Sequence, residues 1–175
     1  DIGMLEHGAS LLWFDDLNDP ERVYSEWIVR DLSGVGEIFE LIPLESPENL
    51  AFFAGDFETG YLNDAYTDAI TPSFDFSNLF DAAGDEYIPA YLEFDYAALL
   101  EQDYDFLSIP VFVDGWFWGT LDITDYGTLI SDGNYRRTMI DISLFAGATD
   151  VRFGFLMESD SEIVEGWGAL FDNVG

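Results

Sequence analysis

An all-β fold, a two-sheet antiparallel β-sandwich of jelly-roll type, is what this 175-residue chain predicts. Three observations point there. Short runs alternating apolar and polar residues dominate the sequence, turn signals separate them, and helical periodicity is nearly absent. Hydrophobic residues make up 49% and aromatic residues 17%, so a sizeable core can form without covalent staples, and there is no cysteine to supply them.

Taken in order, the first ten residues (1–10, DIGMLEHGAS) read as a separate N-terminal segment, extended or able to donate a strand, and the sandwich takes 11–175. The chain opens on Asp1 rather than Met, as a processed or excised chain would. YSEWIVR (Tyr24–Arg30), GEIFELI (Gly36–Ile42) and NLAFFA (Asn49–Ala54) read as strands. In AYLEFDYAAL, Tyr91, Glu93 and Asp95 oppose Leu92, Phe94 and Tyr96. DFLSIPVFV follows, with Pro110 marking a bulge or an edge. Asp114-Gly115 is a hairpin signal before WFWGTLDI. RTMIDI and DVRFGFLME alternate at period two, and GALFDNV is the last strand. SLFAG offers one helical turn, with Ser143 as cap and Gly147 as stop, and the short helix-like patch in DYAALLEQDYD reads as a strand running into a loop.

Charge narrows the function. Thirty-six acidic residues face five basic ones, all arginine (Arg22, Arg30, Arg136, Arg137 and Arg152), for a formal net charge of -31. Such a field repels nucleic acid and anionic membranes, and no run reaches the ~20 apolar residues of a membrane span. It suits high salt or a milieu rich in divalent cations, such as the cell exterior; solubility alone is the plainer account. With no cysteine, no lysine and a single histidine, His7, near the chain start, the usual nucleophile–base pairs cannot be assembled. No zinc signature, phosphate-cradling loop or dinucleotide fingerprint occurs. A carboxylate pair acting on a glycosidic bond remains open. Among 36 acids some such pair is always at hand, so it identifies nothing, and the chain reads as a non-enzyme.

Three stretches carry a family resemblance. FFAGDFETGYLNDAYTDAITPSFDFS (Phe52–Ser77) resembles a small-residue loop leading to a strand that ends L-I-T-P-x-I-D-L-S. AYLEFDYAALLEQDYDFLSIPVFVDG (Ala90–Gly115) resembles L-S-F-D-Y, then V-x-V-S-x-D-G. MIDISLFAGATDVRFGFLMESDSEIVEGWGALFDNV (Met139–Val174) resembles a run closing on E-G-W and I-D-D-V. In order and spacing they are similar to the MAM-like, choice-of-anchor J jelly-roll domain of secreted bacterial proteins, which also accompanies immune-inhibitor-A-like metallopeptidases. The resemblance implies an extracellular or cell-surface location, a non-catalytic adhesion or binding role, a structural cation between the first and last strands, and a core position for Trp167. It departs where the second Asp of D-D-V is Asn173 here.

The expected cofactor is calcium, which takes six to eight oxygen ligands. Candidate ligands are Asp172, which closes an apolar strand, Asp15 and Asp16 in FDD beside the first strand, and Asp56 and Glu58 in the glycine-flanked GDFETG loop. Each has a plain alternative as a cap, a turn or a solvated acid. Asp95 reads as a water-facing residue, and Asp103 with Asp105 forms a D-x-D pair able to share one cation. Trp116 and Trp118 fall on one face of their strand and Phe117 on the other. Core packing is the default for such rings; exposed, the tryptophans would make a ligand platform with Asp114. Arg136-Arg137, the only basic pair, answers nearby acids or an acidic partner, a second copy of the chain included.

The function expected is thus a secreted, calcium-binding module for adhesion or carbohydrate binding, its partner a surface glycan or a protein, with no nucleic-acid partner and no membrane insertion. The alternative is a self-assembling extracellular filament or surface-layer subunit, joined by strand donation from 1–10 and by cations. The charge yields a first prediction. Melting temperature should rise with monovalent salt, because the Debye length falls from ~10 Å at 0.1 M to ~3 Å at 1 M. A midpoint flat across that range would show that the charges are already neutralised in pairs.

Overall fold

In a computed structural model, residues 13–79, 88–121, 133–162 and 166–175 are described. The N-terminal segment 1–10, with His7, lies outside them. Two five-stranded antiparallel sheets pack face to face, as the sequence predicts. The strands are β1 (Ile28–Asp31), β2 (Glu40–Pro43), β3 (Leu50–Gly55), β4 (Tyr66–Ile70), β5 (Tyr91–Leu99), β6 (Phe106–Val113), β7 (Trp116–Leu121), β8 (Arg136–Asp141), β9 (Val151–Glu158) and β10 (Gly168–Asp172). The first sheet runs β1-β4-β9-β6-β7 and the second β2-β3-β10-β5-β8. Among the described strands, only β2–β3 and β6–β7 are consecutive neighbours within a sheet; every other connection crosses from one sheet to the other, the wrapping of a jelly roll.

Side-chain alternation decides what lies between the sheets. Along β9, Val151, Phe153, Phe155 and Met157 turn inward and are buried, while Arg152, Leu156 and Glu158 turn outward. The middle strand of each sheet places one phenylalanine at the centre: Phe155 of β9 stacks on Phe171 of β10, with ring centroids 3.7 Å apart and planes within 9°. Trp27, Phe39 and Phe52 surround Phe171, and Phe94 meets Phe155 edge-on at 4.9 Å.

Several elements differ from expectation. Tyr24–Glu26 belong to a helix, α1 (Pro20–Glu26), not to a strand. Its local cause is Asp19, whose carboxylate accepts the Arg22 N–H at 3.2 Å, followed by Pro20 at the first helical turn. The second strand is confined to Glu40–Pro43, and β4 was marked only through the resemblance. Ser143 opens a single 3-10 turn (Ser143–Phe145) rather than capping it; its hydroxyl accepts the Ala90 N–H at 3.0 Å. Pro110 interrupts the β6–β9 register between Ser108 and Val111, and a bulge follows in the β6–β7 pairing between Val111 and Phe112. Trp167 sits outside the main core. It is half-buried against Phe53 and Phe57 on the outward face of the second sheet, over a small cluster with Ala51, Ala97 and Leu170.

At one end of the sandwich β3 and β10 come very close. A Cβ on Gly55 would lie 2.0 Å from the Trp167 carbonyl oxygen, and one on Gly168 would lie 2.0 Å from that of Ala54. Both glycines also have positive φ, so each position excludes other residues twice over. No helix among the described residues is long and apolar enough to cross a membrane. Phe171→Ala should cost about 3–5 kcal/mol in a denaturant titration, because it empties the centre of both sheets. A loss under about 1 kcal/mol would mean the stack is not the centre of the core.

Candidate cation and ligand-binding sites

Among the described residues, five carboxylates are buried: Asp15, Asp68, Asp95, Asp105 and Asp172. A buried carboxylate is costly unless opposite charge and hydrogen bonds compensate it. Three of the five meet an arginine. Asp15 takes both terminal nitrogens of Arg22 (2.5 and 3.0 Å), the Trp27 indole N–H (2.9 Å) and the Leu17 N–H (2.8 Å). Asp68 is gripped bidentately by Arg30, with Nε at 2.8 Å. Asp95 accepts Arg137 Nε and Nη2 at 2.8 and 2.9 Å. Asp95 therefore does not face water as expected; it lies beneath Arg137 and the Asn173 amide. Asp105 and Asp172 meet no arginine among the described residues.

The two ends of the domain do run side by side. The Asp15 N–H donates to the Val174 carbonyl at 2.8 Å, and the Val174 N–H returns to Asp15 at 3.0 Å. The neighbouring acids then diverge. Asp15 points inward, where its oxygens are filled by the donors above. Asp16 is exposed and accepts the Asn18 N–H at 3.2 Å. Asp172 pairs in register with Asp95 and is 2% exposed. It accepts the Asn173 backbone and side-chain N–H groups at 2.6 and 3.0 Å, with the Tyr135 hydroxyl at 3.4 Å. Burial pushes its carboxyl up to about 7; the Asp95 and Asp16 charges add to this against the Asn173 and Tyr135 donors.

Asp56 and Glu58 lie at the other end of the β3–β10 pair, beyond Gly55 and Gly168. The expected ligands thus form two groups rather than one. Asp56 accepts the Thr59 and Glu58 N–H groups at 2.7 Å each, which holds its carboxyl below the usual range. This loop delivers Tyr61 to a third cluster. The Tyr61 hydroxyl donates to Asp105 and accepts the Glu101 N–H at 2.8 Å, while Asp105 also accepts the Asp160 N–H at 2.8 Å. Glu101, Asp105 and Asp160 bring carboxylate oxygens within 4.8 Å of one another, a set able to hold a metal ion. The D-x-D reading reached Asp105 but paired it with Asp103, which sits exposed in a turn at φ 70°. Asp160 arrives from the far end of β9, and no local spacing could have joined it to Glu101.

Asp114 and Gly115 both have positive φ, the two-residue hairpin turn expected. The rings that follow do not enter the core. Trp116, Phe117 and Trp118 are 80%, 63% and 55% exposed. Trp118 touches Phe145 edge-on at 5.0 Å, whereas Phe117 meets Phe112 at 6.1 Å. β7 is an edge strand, so alternation places the rings on two sides of a ribbon that nothing described covers. Asp114 is exposed at the tip.

No family model matches the chain, and no curated protein matches it. Solved structures do. The K1 cleaved adhesin domain of Lys-gingipain from Porphyromonas gingivalis W83 is 18% identical over 85% of this chain and 88% of that one, with a TM-score of 0.50. TmCBM27, a carbohydrate-binding module described for mannan recognition, is 14% identical over 94% of this chain and 95% of that one, with a TM-score of 0.47. The enzymatically active domain of bacteriophage CBA120 tailspike protein 4 is 12% identical over 91% of this chain and 20% of that one, with a TM-score of 0.49. At such identities the likeness speaks to the fold: the adhesin domain is a β-sandwich neighbour. The MAM-like family is not shown by these matches.

Asp172 makes a pH prediction for the chain in EDTA. Its folded value of about 7 lies above the ~3.9 of an unfolded Asp, so the folded chain keeps a proton there that the unfolded chain releases. That contribution is full below about pH 4 and is lost as pH rises through about 7. Asp172→Asn should therefore melt higher than the wild type at pH 8, with a shallower decline across the window. Parallel melting curves for the two proteins would contradict the assignment.

Proposed function

We propose that the chain is an extracellular, calcium-binding β-sandwich module that binds a glycan or protein ligand rather than catalysing a reaction. The observation that carries this reading is the bare aromatic hairpin. A protein that buries most of its phenylalanines leaves Trp116, Phe117 and Trp118 in solvent on an edge strand. Large exposed rings with hydrogen-bonding neighbours are the usual makings of a binding surface. Trp116 and Trp118 would supply the stacking faces and Asp114 an acceptor at the tip. The fold shared with an adhesin domain and the order of the MAM-like motifs are in keeping with that role.

Calcium fits the Glu101–Asp105–Asp160 cluster. Calcium–oxygen distances of about 2.3–2.6 Å place opposed ligands roughly 5 Å apart, the spacing that the three carboxylates offer. Asp172 with Asp16 is a second position, where a cation would offset the charge that burial disfavours. A bound divalent ion would tie the loops around Tyr61, Asp105 and Asp160 together, and millimolar calcium outside cells would keep such sites filled.

Two measurements test the reading. Millimolar calcium should raise the melting temperature over EDTA at fixed ionic strength, by an amount corresponding to about 2.7 kcal/mol at 100 times the dissociation constant, and Asp160→Asn should shrink the rise. An unchanged wild-type midpoint would overturn calcium binding. Trp116→Ala and Trp118→Ala should leave stability within about 1 kcal/mol, as exposed positions do, while weakening retention on a glycan array. Failure of the wild type to bind any arrayed glycan or protein partner would overturn the binding role.

A further inference from the structure

The two outward sheet faces are not alike. The second sheet packs Phe53, Phe57 and Trp167 over part of its own and leaves a smaller hollow of about 170 Å³ beside Phe53 and Ile42. The first leaves an open groove of about 390 Å³ that draws residues from all five of its strands: Arg30 on β1, Tyr66 and Asp68 on β4, Glu158 on β9, Phe112 on β6 and Phe117 on β7. Resting on the binding-module reading above, we infer that this groove is a second ligand cleft, on the other side of the β6–β7 ribbon from Trp116 and Trp118, and that its occupant is an uncharged, hydroxyl-rich polysaccharide laid across the strands.

The polar part of the argument is the ion pair on the floor. Arg30 and Asp68 face each other in the β1–β4 register and are locked by two hydrogen bonds. Asp68 is 2% exposed while Arg30 keeps two-fifths of its side chain open to the groove. A guanidinium carries more N–H donors than the two that Asp68 accepts. With Asp68 almost fully buried, the pair presents the exposed donors of Arg30 with little rotamer freedom left to lose on binding, and Glu158 elsewhere in the lining supplies an acceptor. That is the complement of vicinal hydroxyls, each of which donates and accepts.

The apolar part stands beside it. The Arg30 guanidinium carbon lies 5.9 Å from the centre of the Phe112 ring, and Phe117 packs against Phe112 at 64°. The β6–β7 bulge keeps Phe117 opposite Phe112, on the groove side of the ribbon. Tyr66 stands partly exposed across the sheet. Sugar rings offer C–H faces to such aromatic surfaces and hydroxyls at their edges, so a mixed lining suits them where a purely apolar one would not.

Charge selects among sugars. The one arginine lining the groove is neutralised by Asp68, and Glu158 adds a negative charge within a chain of net charge -31. Carboxylated, sulfated or phosphorylated glycans are repelled both locally and at long range. A basic peptide is drawn to any part of the surface but would meet Arg30 on the floor. Glycosidic cleavage uses two carboxylates, and with Asp68 locked to Arg30 the groove lining leaves only Glu158 among the described residues.

Affinity electrophoresis of the full chain in calcium, through gels containing single polysaccharides, tests this. Neutral β-glucan, mannan and xylan are compared with alginate and a sulfated galactan, and Phe117→Ala and Tyr66→Ala with Trp116→Ala. The wild type should be retarded by at least one neutral polymer and by neither anionic one. Phe117→Ala and Tyr66→Ala should weaken that retardation roughly tenfold with melting temperatures unchanged. Retardation lost only in Trp116→Ala would overturn the groove while leaving the binding module standing. Preference for the anionic polymers would overturn the inferred ligand class. No retardation by any polymer, with retention of a protein partner, would overturn the groove's ligand; no binding to any glycan or protein would overturn the module itself.

Discussion

Five arginines must serve a chain that carries 36 acids, and where they go organises this structure. Three of them neutralise carboxylates that the fold has buried: Arg22 on Asp15, Arg30 on Asp68 and Arg137 on Asp95. Each pair sits at a junction. Asp15 ties α1 and Trp27 to the paired chain ends, Asp68 joins β1 to β4, and Asp95 joins β5 to β8. Breaking such a pair leaves a buried charge uncompensated, which is far worse than never having built it. The two remaining buried carboxylates, Asp105 and Asp172, have hydrogen bonds but no arginine among the described residues. A cation from outside would offset the charge that neither shares with an arginine. The raised Asp172 carboxyl also favours a proton there, and the acidic cluster around Asp105 has the spacing for a cation.

The aromatic residues are distributed with the same economy. Stacking Phe155 on Phe171 places the two middle strands ring to ring, and the remaining inward rings tile around that contact. Of the rings outside the core, two groups cluster, while Phe14, Tyr24, Tyr91 and Tyr104 stand exposed elsewhere. One group, Phe53, Phe57 and Trp167, roofs the outer face of the second sheet. The other, Phe112, Phe117, Trp116 and Trp118, gathers at the β6–β7 edge of the first sheet, whose face stays open. The two faces thus differ in extent, with three rings covering part of one and the larger groove lying on the other.

Much of the fold was legible because period-two alternation survives locally. DVRFGFLME declares its inward residues one by one, and Asp114-Gly115 declares a turn that needs positive φ at both positions. The helix at Pro20–Glu26 was hidden because YSEWIVR carries the aromatic and β-branched residues of a strand; the deciding residues, Asp19 and Pro20, lie just upstream of that run. The site was harder to read. FDD meets the chain end through an Asp15–Val174 bridge and not through the first strand, which pairs with β4, and sequence could not say that Asp15 turns inward to Arg22 while Asp16 turns out. Asp56 and Glu58 look like ligands in a glycine-flanked loop, but their loop's contribution to the cluster is Tyr61. The Glu101–Asp105–Asp160 cluster and the Arg30–Asp68 floor both join residues distant in sequence through the register of crossing strands. Neither leaves a local pattern.

The account turns on cations replacing the arginines that the sequence lacks, and a direct view of them tests it best. Crystals grown in calcium should be measured at a long wavelength where calcium scatters anomalously. The account predicts a peak among the carboxylates of Glu101, Asp105 and Asp160, with a further peak at Asp172. A map without a peak at the cluster, its carboxylates turned away from one another, would contradict it.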